Sequence, residues 1–267
     1  MTTEPSTAGE AELLYDVSDG VATVSFNRPA ARNAITFGMY AELSQICETV
    51  GGADGVKALI VRGEGEHAFA AGTDISQFRA FSGPEDGLAY EAEMDRVLNT
   101  IEDCGVPTIA AMHGACTGGG AAIAASCDIR IAAADLKFGF PIARTLGNCL
   151  SATSLSRLVQ LIGAGRTKEI LFTSRLIRAD EAQATGLVSE ILPTQDALNA
   201  RAVELAQVLS GHAPLTLKAT KQALARLRKT MAAIDDEDLI ALCYTSEDFR
   251  EGLEAFLAKR KPQWQGR

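Results

Sequence analysis

The chain begins with short apolar runs that alternate with segments of helical spacing. Leu13–Tyr15 and Val21–Phe26 alternate apolar and polar residues, which predicts two strands joined by a turn at Ser18-Asp19-Gly20. Apolar residues then recur every three or four positions from Met39 to Val50, which predicts a helix that ends at Gly51-Gly52. By the same criteria, further strands are expected at 57–62, 136–140 and 187–192, and helices at 75–81, 94–101, 151–162 and 179–185.

The stretch Val106–Ala134 contains the most informative turn. An apolar, β-prone run, Val106–Met112, is followed by three glycines, Gly118–Gly120, and by small helix formers, Ala121–Ala125. Adjacent glycines let a ligand approach the main chain closely. The first N–H groups of the following helix are unpaired and lie at the positive end of its dipole. The pattern predicts a site for an anion or a developing oxyanion; the alternative is a tight turn between buried elements.

A second turn of the same kind lies earlier in the chain. Gly72-Thr73-Asp74 follows the buried-type strand Lys57–Arg62 and a loop, and it leads into the short helix Ile75–Phe81. Two strand–glycine–helix units can direct two backbone N–H groups at one point. That arrangement is an oxyanion hole.

From Asp196 onward the pattern is helical, with Pro214 between two amphipathic helices. One apolar face comprises Leu217, Leu224, Leu227 and Met231, and the other comprises Phe249, Leu253, Phe256 and Leu257. These faces are larger than one small domain needs, which predicts that they pack between subunits. We therefore expect a flexible tail at 1–10, a core at 11–195 and a C-terminal helical region at 196–267.

The charge and composition narrow the possible partners. A net charge of −9 and a pI near 5.0 argue against a general nucleic-acid binder. An anionic ligand would need a local basic cluster, and Lys259-Arg260-Lys261 is a candidate. The chain has no run of about 18 apolar residues, so no membrane span is expected. Its polar, acidic start resembles neither a signal peptide nor a transit peptide.

The cysteines and histidines predict no metal site and no permanently bound cofactor. Six scattered cysteines without a C-x-x-C pair are typical of reduced thiols in the cytoplasm. The three histidines share no metal-ligand spacing. The glycine triplet also lacks the third glycine of a dinucleotide-binding fingerprint, since Ile123 stands there, and no Lys-Ser/Thr pair follows as in a P-loop.

Six motifs in order resemble the crotonase (enoyl-CoA hydratase/isomerase) superfamily over nearly the whole chain. They are Asn27-Arg28-Pro29 with Asn33-Ala34; Phe69–Ile75; Gly118–Gly120 with Cys127–Arg130; Phe138-Gly139-x-Pro141; Ala179-x-x-Ala182-x-x-x-Gly186-Leu187-Val188; and Phe256–Pro262. The resemblance implies an α/β fold, a crotonase-like spiral of ββα units with a C-terminal helical trimerisation region. It also implies a coenzyme A thioester substrate, a homotrimer or dimer of trimers, and a role in fatty acid metabolism.

The resemblance also implies site residues. The backbone N–H groups of Thr73 and Gly119 would hold the thioester oxygen. Asp74 and Asp128 would brace their turns. The coenzyme A site would involve residues from three segments, namely Arg28, Ala31, Arg32, Ala71, Asp74, Ile75, Phe256 and Lys259.

Two departures from the family pattern leave the reaction open. The family's hydratases carry glutamates where this chain has Ala122 and Ile142, so neither usual acid nor base is in place. Other polar residues could serve instead, namely Arg144, Thr145, Asn148 and Cys149 of the loop after Pro141, and Glu91, Glu93 and Asp95 of the 84–95 segment. We favour an acyl-CoA-transforming enzyme of lyase or isomerase type; the alternative is a non-catalytic acyl-CoA-binding homologue.

Overall fold

The computed structural model describes residues 11–51, 55–81, 83–231 and 234–267. The predicted tail at 1–10 lies outside these residues. The strands of the described chain are β1 (Leu13–Ser18), β2 (Val21–Phe26), β3 (Ala58–Gly63), β4 (Ala68–Ala70), β5 (Thr108–Met112), β6 (Ala115–Thr117), β7 (Ile129–Ala133), β8 (Lys137–Gly139), β9 (Ile177–Arg178) and β10 (Glu190–Leu192). None of the described helices is long and apolar enough to cross a lipid bilayer.

The helices follow the predicted order with some longer bounds. They are α1 (Phe37–Thr49), α2 (Pro84–Asp103), α3 (Gly119–Ser126), α4 (Ile142–Thr145), α5 (Ala152–Thr173), α6 (Ala179–Ala184), α7 (Gln195–Ser210), α8 (Pro214–Met231), α9 (Glu237–Tyr244) and α10 (Glu247–Leu257), with 3-10 turns at Pro29–Ala31 and Ile75–Ala80.

Two sheets build the core. The larger one has the order β1-β2-β3-β5-β7-β10 and is parallel except for the β1–β2 hairpin. The smaller one has the order β4-β6-β8-β9. The chain repeatedly places one strand in the larger sheet, the next in the smaller sheet, and then a helix, as in β5-β6-α3. This spiral of ββα units confirms the predicted fold class.

Alternate residues of the larger sheet enter two apolar clusters. Leu59 and Val61 face the main core, whereas Ala58 and Ile60 face a second cluster, because successive side chains of a strand point to opposite faces. The second cluster is closed by the face of α7 that carries Leu198. This first helix of the predicted C-terminal region is therefore packed as part of the sheet structure.

Two predicted elements differ from the structure, and a third is followed by an additional helical segment. The segment Pro141–Asn148, expected as a loop, contains the single-turn helix α4. The helix expected at 151–162 is present and ends at Gly163, whose φ of +75° and ψ of 155° are not helical; a further helical segment, which the sequence did not predict, follows as far as Thr173. The strand expected at 187–192 is confined to β10, at Glu190–Leu192.

The α10 face was expected to lie between subunits, and for Phe249 and Leu253 that prediction is wrong. Both side chains are buried within the single chain. The ring of Phe249 packs against Tyr244 at a centroid distance of 4.8 Å, and Leu253 joins a cluster with Phe78. An intramolecular contact that already covers a side chain leaves none of its surface for a partner. Phe256, by contrast, remains 46% exposed.

Candidate active site

The two glycine turns predicted from the sequence, Gly72–Asp74 and Gly118–Gly120, each begin just beyond a strand of the smaller sheet. Gly72 has a φ of +111° and Gly118 a φ of +53°, which favour glycine. The N–H of Asp74 donates to the Ile35 carbonyl at 2.8 Å. The N–H groups of Thr73 and Gly119 take part in none of the backbone hydrogen bonds of these turns in the described chain.

The glycine turns touch each other. A Cβ added at Gly118 would stand 3.5 Å from the Cα of Gly72. A Cβ added at Gly72 would stand 3.5 Å from the Thr117 carbonyl oxygen and 4.0 Å from the Gly119 nitrogen. These are ordinary van der Waals distances, so glycine is favoured at both positions by the positive φ and not by lack of space. The two turns are in contact on one side of a shared cavity, which both of them line.

Three hydroxyl groups surround the turns. The Thr73 Oγ1 lies 2.9 Å from the hydroxyl oxygen of Tyr40 and 2.9 Å from that of Tyr90. Burial raises the pKa of both tyrosines far above the ordinary range, so both remain neutral O–H groups. The three hydroxyl groups carry three hydrogens but form only two hydrogen bonds with one another, so one hydroxyl hydrogen can be donated to another acceptor. The Tyr40 oxygen also stands only 1.9 Å from where a Gly119 Cβ would lie, so this position accepts only glycine while Tyr40 stays in place.

The cavity has a volume of about 800 Å³. Most of its lining side chains are apolar, including Phe78, Met94, Leu98, Leu146, Leu150 and Leu257. Ala122 and Ile142 lie in this lining. They place apolar groups at the two positions where the resemblance would expect carboxylates.

Glu91, on α2, provides a buried carboxyl group to the cavity; its side chain is 4% exposed. The Tyr244 hydroxyl donates to its Oε1 at 2.5 Å, and the Ser151 backbone N–H donates as well. Burial raises its pKa to about 7, and the nearby charges of Asp95 and Asp236 act in the same direction. The strongest influences on its pKa from the described chain include no cation.

Gly87 explains how Tyr244 reaches Glu91. Gly87 lies one helical turn before Glu91 on α2, and a Cβ at this glycine would stand 2.5 Å from the Tyr244 Cβ. The glycine therefore allows α9 to approach α2 closely. Asn148 completes this group, because its Nδ2 donates to the Tyr244 oxygen at 3.3 Å. Its Oδ1 is buried and has no hydrogen-bond partner within the described chain. We call Glu91, Asn148 and Tyr244 the Glu91 cluster.

The other polar candidates are dispersed. Thr145 lines the cavity, and its hydroxyl donates to the Pro141 carbonyl. Arg144 is exposed on α4 and does not line the cavity. The remaining three also lie apart from the cavity lining: Glu93 is exposed and paired with Arg96, Asp95 accepts from the Ser151 hydroxyl, and Cys149 packs beside Cys243 and Ile240.

The residues implied for coenzyme A binding are largely brought together. Six of them line the cavity, namely Ala31, Arg32, Ala71, Asp74, Ile75 and Phe256. Arg28 does not line it and instead forms ion pairs with Glu12 and Asp74, both at 3.0 Å. Lys259 is exposed beyond α10 and is also absent from the lining.

Sequence reasoning missed several lining residues. Tyr40, Tyr90, His67 and Lys137 all line the cavity. Lys137 and His67 are exposed and belong to the smaller sheet or the segment before it. Local residue spacing does not mark His67 and Lys137 as neighbours. They meet at one cavity because strand pairing in the smaller sheet joins segments about 70 residues apart in the chain.

Comparison with known proteins identifies the family. A model of the family described as enoyl-CoA hydratase/isomerase matches residues 16–267. A short-chain-enoyl-CoA hydratase from Clostridium acetobutylicum is 35% identical over 253 residues, which cover 93% of this chain and 95% of that protein. The 2,3-dehydroadipyl-CoA hydratase of Escherichia coli is 31% identical over 261 residues, covering 96% of this chain and 99% of that protein.

Solved structures agree with this result. A methylmalonyl-CoA decarboxylase in complex with 2-nitronate-propionyl-CoA has a TM-score of 0.87 and 27% identity, covering 96% of this chain and 99% of that one. An enoyl-CoA hydratase/carnithine racemase from Magnetospirillum magneticum has a TM-score of 0.76 and 34% identity, covering 96% of both chains. The family model spans nearly all of the chain, and the fold agrees with that of these structures. The protein therefore belongs to the enoyl-CoA hydratase/isomerase family of the crotonase superfamily.

Proposed function

We propose that the protein is an enzyme that forms an enolate from an acyl-CoA thioester by moving protons at the α-carbon. The observation that carries this proposal is the contact between the two glycine turns at the cavity. When an α-proton leaves, negative charge develops on the thioester oxygen. The N–H groups of Thr73 and Gly119 would hold that oxygen, and preorganised donors of this kind lower the barrier most where charge develops.

The relatives support a coenzyme A thioester as substrate. Hydratases and a decarboxylase among them are named for reactions of different acyl groups, and each name contains a coenzyme A thioester. In this chain, exposed Arg32 and Lys137 line the cavity and would offer local positive charge to the phosphates of the nucleotide. This local charge is what a protein with a net charge of −9 needs for an anionic ligand.

We further propose that the enzyme is a poor hydratase. Adding water to a conjugated thioester needs one group to activate the water and another to deliver a proton to the α-carbon. Each positioned group contributes about 10²–10⁴-fold to the rate. Ala122 and Ile142 line the cavity without either group.

A panel of acyl-CoA thioesters tests these proposals. Deuterium incorporation at the α-carbon in D₂O is expected, whereas hydration of crotonyl-CoA should be slow. An Ala122→Glu/Ile142→Glu double mutant is expected to hydrate crotonyl-CoA faster than the wild type. Hydration by the wild type at rates typical of efficient enzymes would contradict the poor-hydratase proposal. Thermal protection by acyl-CoA with neither exchange nor product would instead support the non-catalytic binder.

We also propose a homotrimer or a dimer of trimers that uses the outer face of α8. Leu224 is 61% exposed and Leu227 64% exposed in the single chain. Leu217 on the same helix is half-buried, and the Met231 side chain lies outside the described part. Contiguous exposed apolar residues of this kind mark interaction surfaces.

Light scattering tests this assembly. The wild type is expected at three or six times 28.2 kDa, and Leu224→Glu/Leu227→Glu should dissociate it. Ala219→Glu/Thr230→Glu adds the same two charges to exposed positions of α8 that are not among the residues of its predicted apolar face and serves as the control. A wild-type monomer at micromolar concentration would refute the proposal.

A further inference from the structure

The cavity has two carboxyl groups in its described lining, and they differ in their partners. Asp74 accepts hydrogen bonds from Ser76 and forms an ion pair with Arg28, so its charge is already used to brace a glycine turn. Glu91 has hydrogen-bond donors, and no cation is among the strongest influences on it from the described chain. A buried carboxyl without a neutralising cation is costly to maintain for structure alone and is typical of functional sites.

Glu91 lies beside the glycine turns. The residue before it, Tyr90, hydrogen-bonds to the Thr73 side chain at 2.9 Å. The charge of Glu91 also raises the pKa of Tyr40, whose hydroxyl contacts the Gly119 turn. The carboxyl group is therefore within electrostatic reach of side chains that contact both glycine turns.

Hydrogen bonds within the Glu91 cluster orient the Glu91 carboxyl group, which itself lines the cavity. Tyr244 and the Ser151 N–H both donate to Glu91, which orients the side chain. Asn148, which donates to Tyr244, also lines the cavity. Its buried Oδ1 has no hydrogen-bond partner within the described chain, so an N–H or O–H group of a bound ligand could donate to it.

We propose, building on the enolate chemistry proposed above, that Glu91 is the acid–base residue and that it shuttles one proton between the α- and γ-carbons of a β,γ-unsaturated acyl-CoA. The Glu91 carboxylate takes the α-proton, and the electrons of the broken C–H bond form an enolate on the thioester oxygen. The dienolate then takes a proton from the Glu91 carboxyl group at its γ-carbon; in D₂O, exchange of that carboxyl proton with solvent introduces deuterium. The double bond moves into conjugation, and Glu91 returns to its ionised form. No water or co-reactant is consumed.

One carboxyl group suffices for this reaction, which fits a cavity without the usual pair. Burial raises the pKa of Glu91 to about 7, so that both its forms are populated at neutral pH, as a proton shuttle requires. The titratable groups that face Glu91 are Tyr244 and Asp236 beside or on α9, Asp95 on α2, Tyr90, Tyr40, and Cys149 before α5. All are acids, so none of them supplies a positive charge.

The test uses but-3-enoyl-CoA in D₂O. Formation of crotonyl-CoA and uptake of deuterium are followed together for the wild type, Glu91→Gln and Glu93→Gln. Glu93→Gln is the matched control, since it makes the same change two residues away on α2 at an exposed position outside the cavity lining. We expect Glu91→Gln to lose about 10²–10⁴-fold in turnover. Its affinity for coenzyme A thioesters should stay within about threefold of the wild type, and Glu93→Gln should match the wild type.

The outcomes separate this inference from the function on which it rests. Near-normal isomerisation and exchange by a folded Glu91→Gln protein would overturn the role of Glu91 and leave the enolate proposal intact. A rise in KM at unchanged kcat would show that Glu91 binds substrate and would overturn the acid–base role. No isomerisation and no exchange by a wild-type protein that binds the thioester would overturn both.

Tyr244 offers a second variant through which Glu91 can be tested. Its hydrogen bond favours the ionised form of Glu91 and so lowers the pKa of that carboxyl group. Tyr244→Phe should therefore shift the rising limb of the rate–pH profile to higher pH, an effect that loss of packing alone would not produce. A profile that stays at the wild-type position would contradict the assignment of the titrating group to Glu91.

Discussion

Two groups of residues, the glycine turns and the Glu91 cluster, contribute to the lining of one cavity and are built in different ways. The glycine turns are made from main chain, and each is encoded within a few consecutive residues, such as Gly72-Thr73-Asp74. The Glu91 cluster is made from side chains of α2, the segment before α5, and α9, and the separation between Glu91 and Tyr244 is 153 residues. In the proposed reaction, the glycine turns would hold the thioester oxygen and the Glu91 cluster would carry out the proton transfer.

The glycine turns and the Glu91 cluster differ in how much amino-acid substitution they tolerate. The glycine turns are tightly surrounded, because a Cβ at Gly119 would stand 1.9 Å from the Tyr40 hydroxyl oxygen and 3.0 Å from the Thr73 Oγ1. The Glu91 cluster requires only that a carboxyl group reach the cavity, and several positions around the cavity could supply one. Families that keep the turns and relocate the carboxyl group can therefore change reaction without changing fold.

The largest expected effect concerns the glycine turns. We expect Tyr40→Phe/Gly119→Pro to have about 10²–10³-fold lower kcat than Tyr40→Phe/Gly119→Ala, a loss of about 2.7–4 kcal/mol. Both variants place a Cβ at the same point, and the Phe substitution removes the hydroxyl that this Cβ would meet at 1.9 Å. Only proline removes the N–H, and proline is tolerated at the first position of a helix.

Steady-state rates with but-3-enoyl-CoA, together with circular dichroism of both double mutants, provide the measurement. Equal rates for two folded double mutants would show that the Gly119 N–H does not stabilise the transition state.

The next effect concerns the Glu91 cluster and the pH dependence of stability. The pKa of Glu91 is raised from 4.5 to about 7 in the folded chain, so the folded state holds a proton that the unfolded chain releases between these values. Protonation of Glu91 in the folded state stabilises the protein. This contribution to the free energy of unfolding is fully present below pH 4.5 and is lost as the pH rises through about 7. It amounts to about 3 kcal/mol. Glu91→Gln should remove this dependence.

Urea unfolding at pH 4.5 and pH 8, at one protein concentration, checks this prediction. The wild type should lose about 3 kcal/mol more than Glu91→Gln between these pH values. Glu93→Gln should behave like the wild type. Parallel losses in the wild type and Glu91→Gln would mean that Glu91 titrates normally.

These regions also show how far the sequence alone could predict the site. The glycine turns were predicted because glycine spacing and strand–helix order are local signals, and the structure places both turns at one cavity. Glu91 was one of three acidic candidates in its segment, and only burial on α2 separates it from Glu93. The role of Gly87 in bringing α9 close could not be predicted, since helix packing is set by distant parts of the chain. The same holds for α7, whose position against the sheet depends on tertiary contacts.

The smallest expected effect concerns Tyr40 and Tyr90, whose hydroxyl groups bond to a glycine turn. Tyr90 lies beside Glu91 on α2, and its hydroxyl also bonds to Thr73 of a glycine turn. Tyr90→Phe and Tyr40→Phe each remove one hydrogen bond to the same Thr73 oxygen, so each should lower the free energy of unfolding by about 0.5–1.5 kcal/mol. Thermal unfolding of both single mutants and the double mutant measures this. A double mutant whose loss equals the sum of the single losses would show that the three hydroxyl groups act independently.

If the Thr73 and Gly119 N–H groups polarise a thioester carbonyl, the vibrational frequency of that carbonyl should fall when the thioester binds. Crotonyl-CoA labelled with ¹³C at the carbonyl can be followed by infrared difference spectroscopy, free and bound. We expect a lower carbonyl frequency when it is bound to the wild type or to Tyr40→Phe/Gly119→Ala. With Tyr40→Phe/Gly119→Pro the frequency should return toward the value in water. The same frequency for free and wild-type-bound thioester would contradict the account.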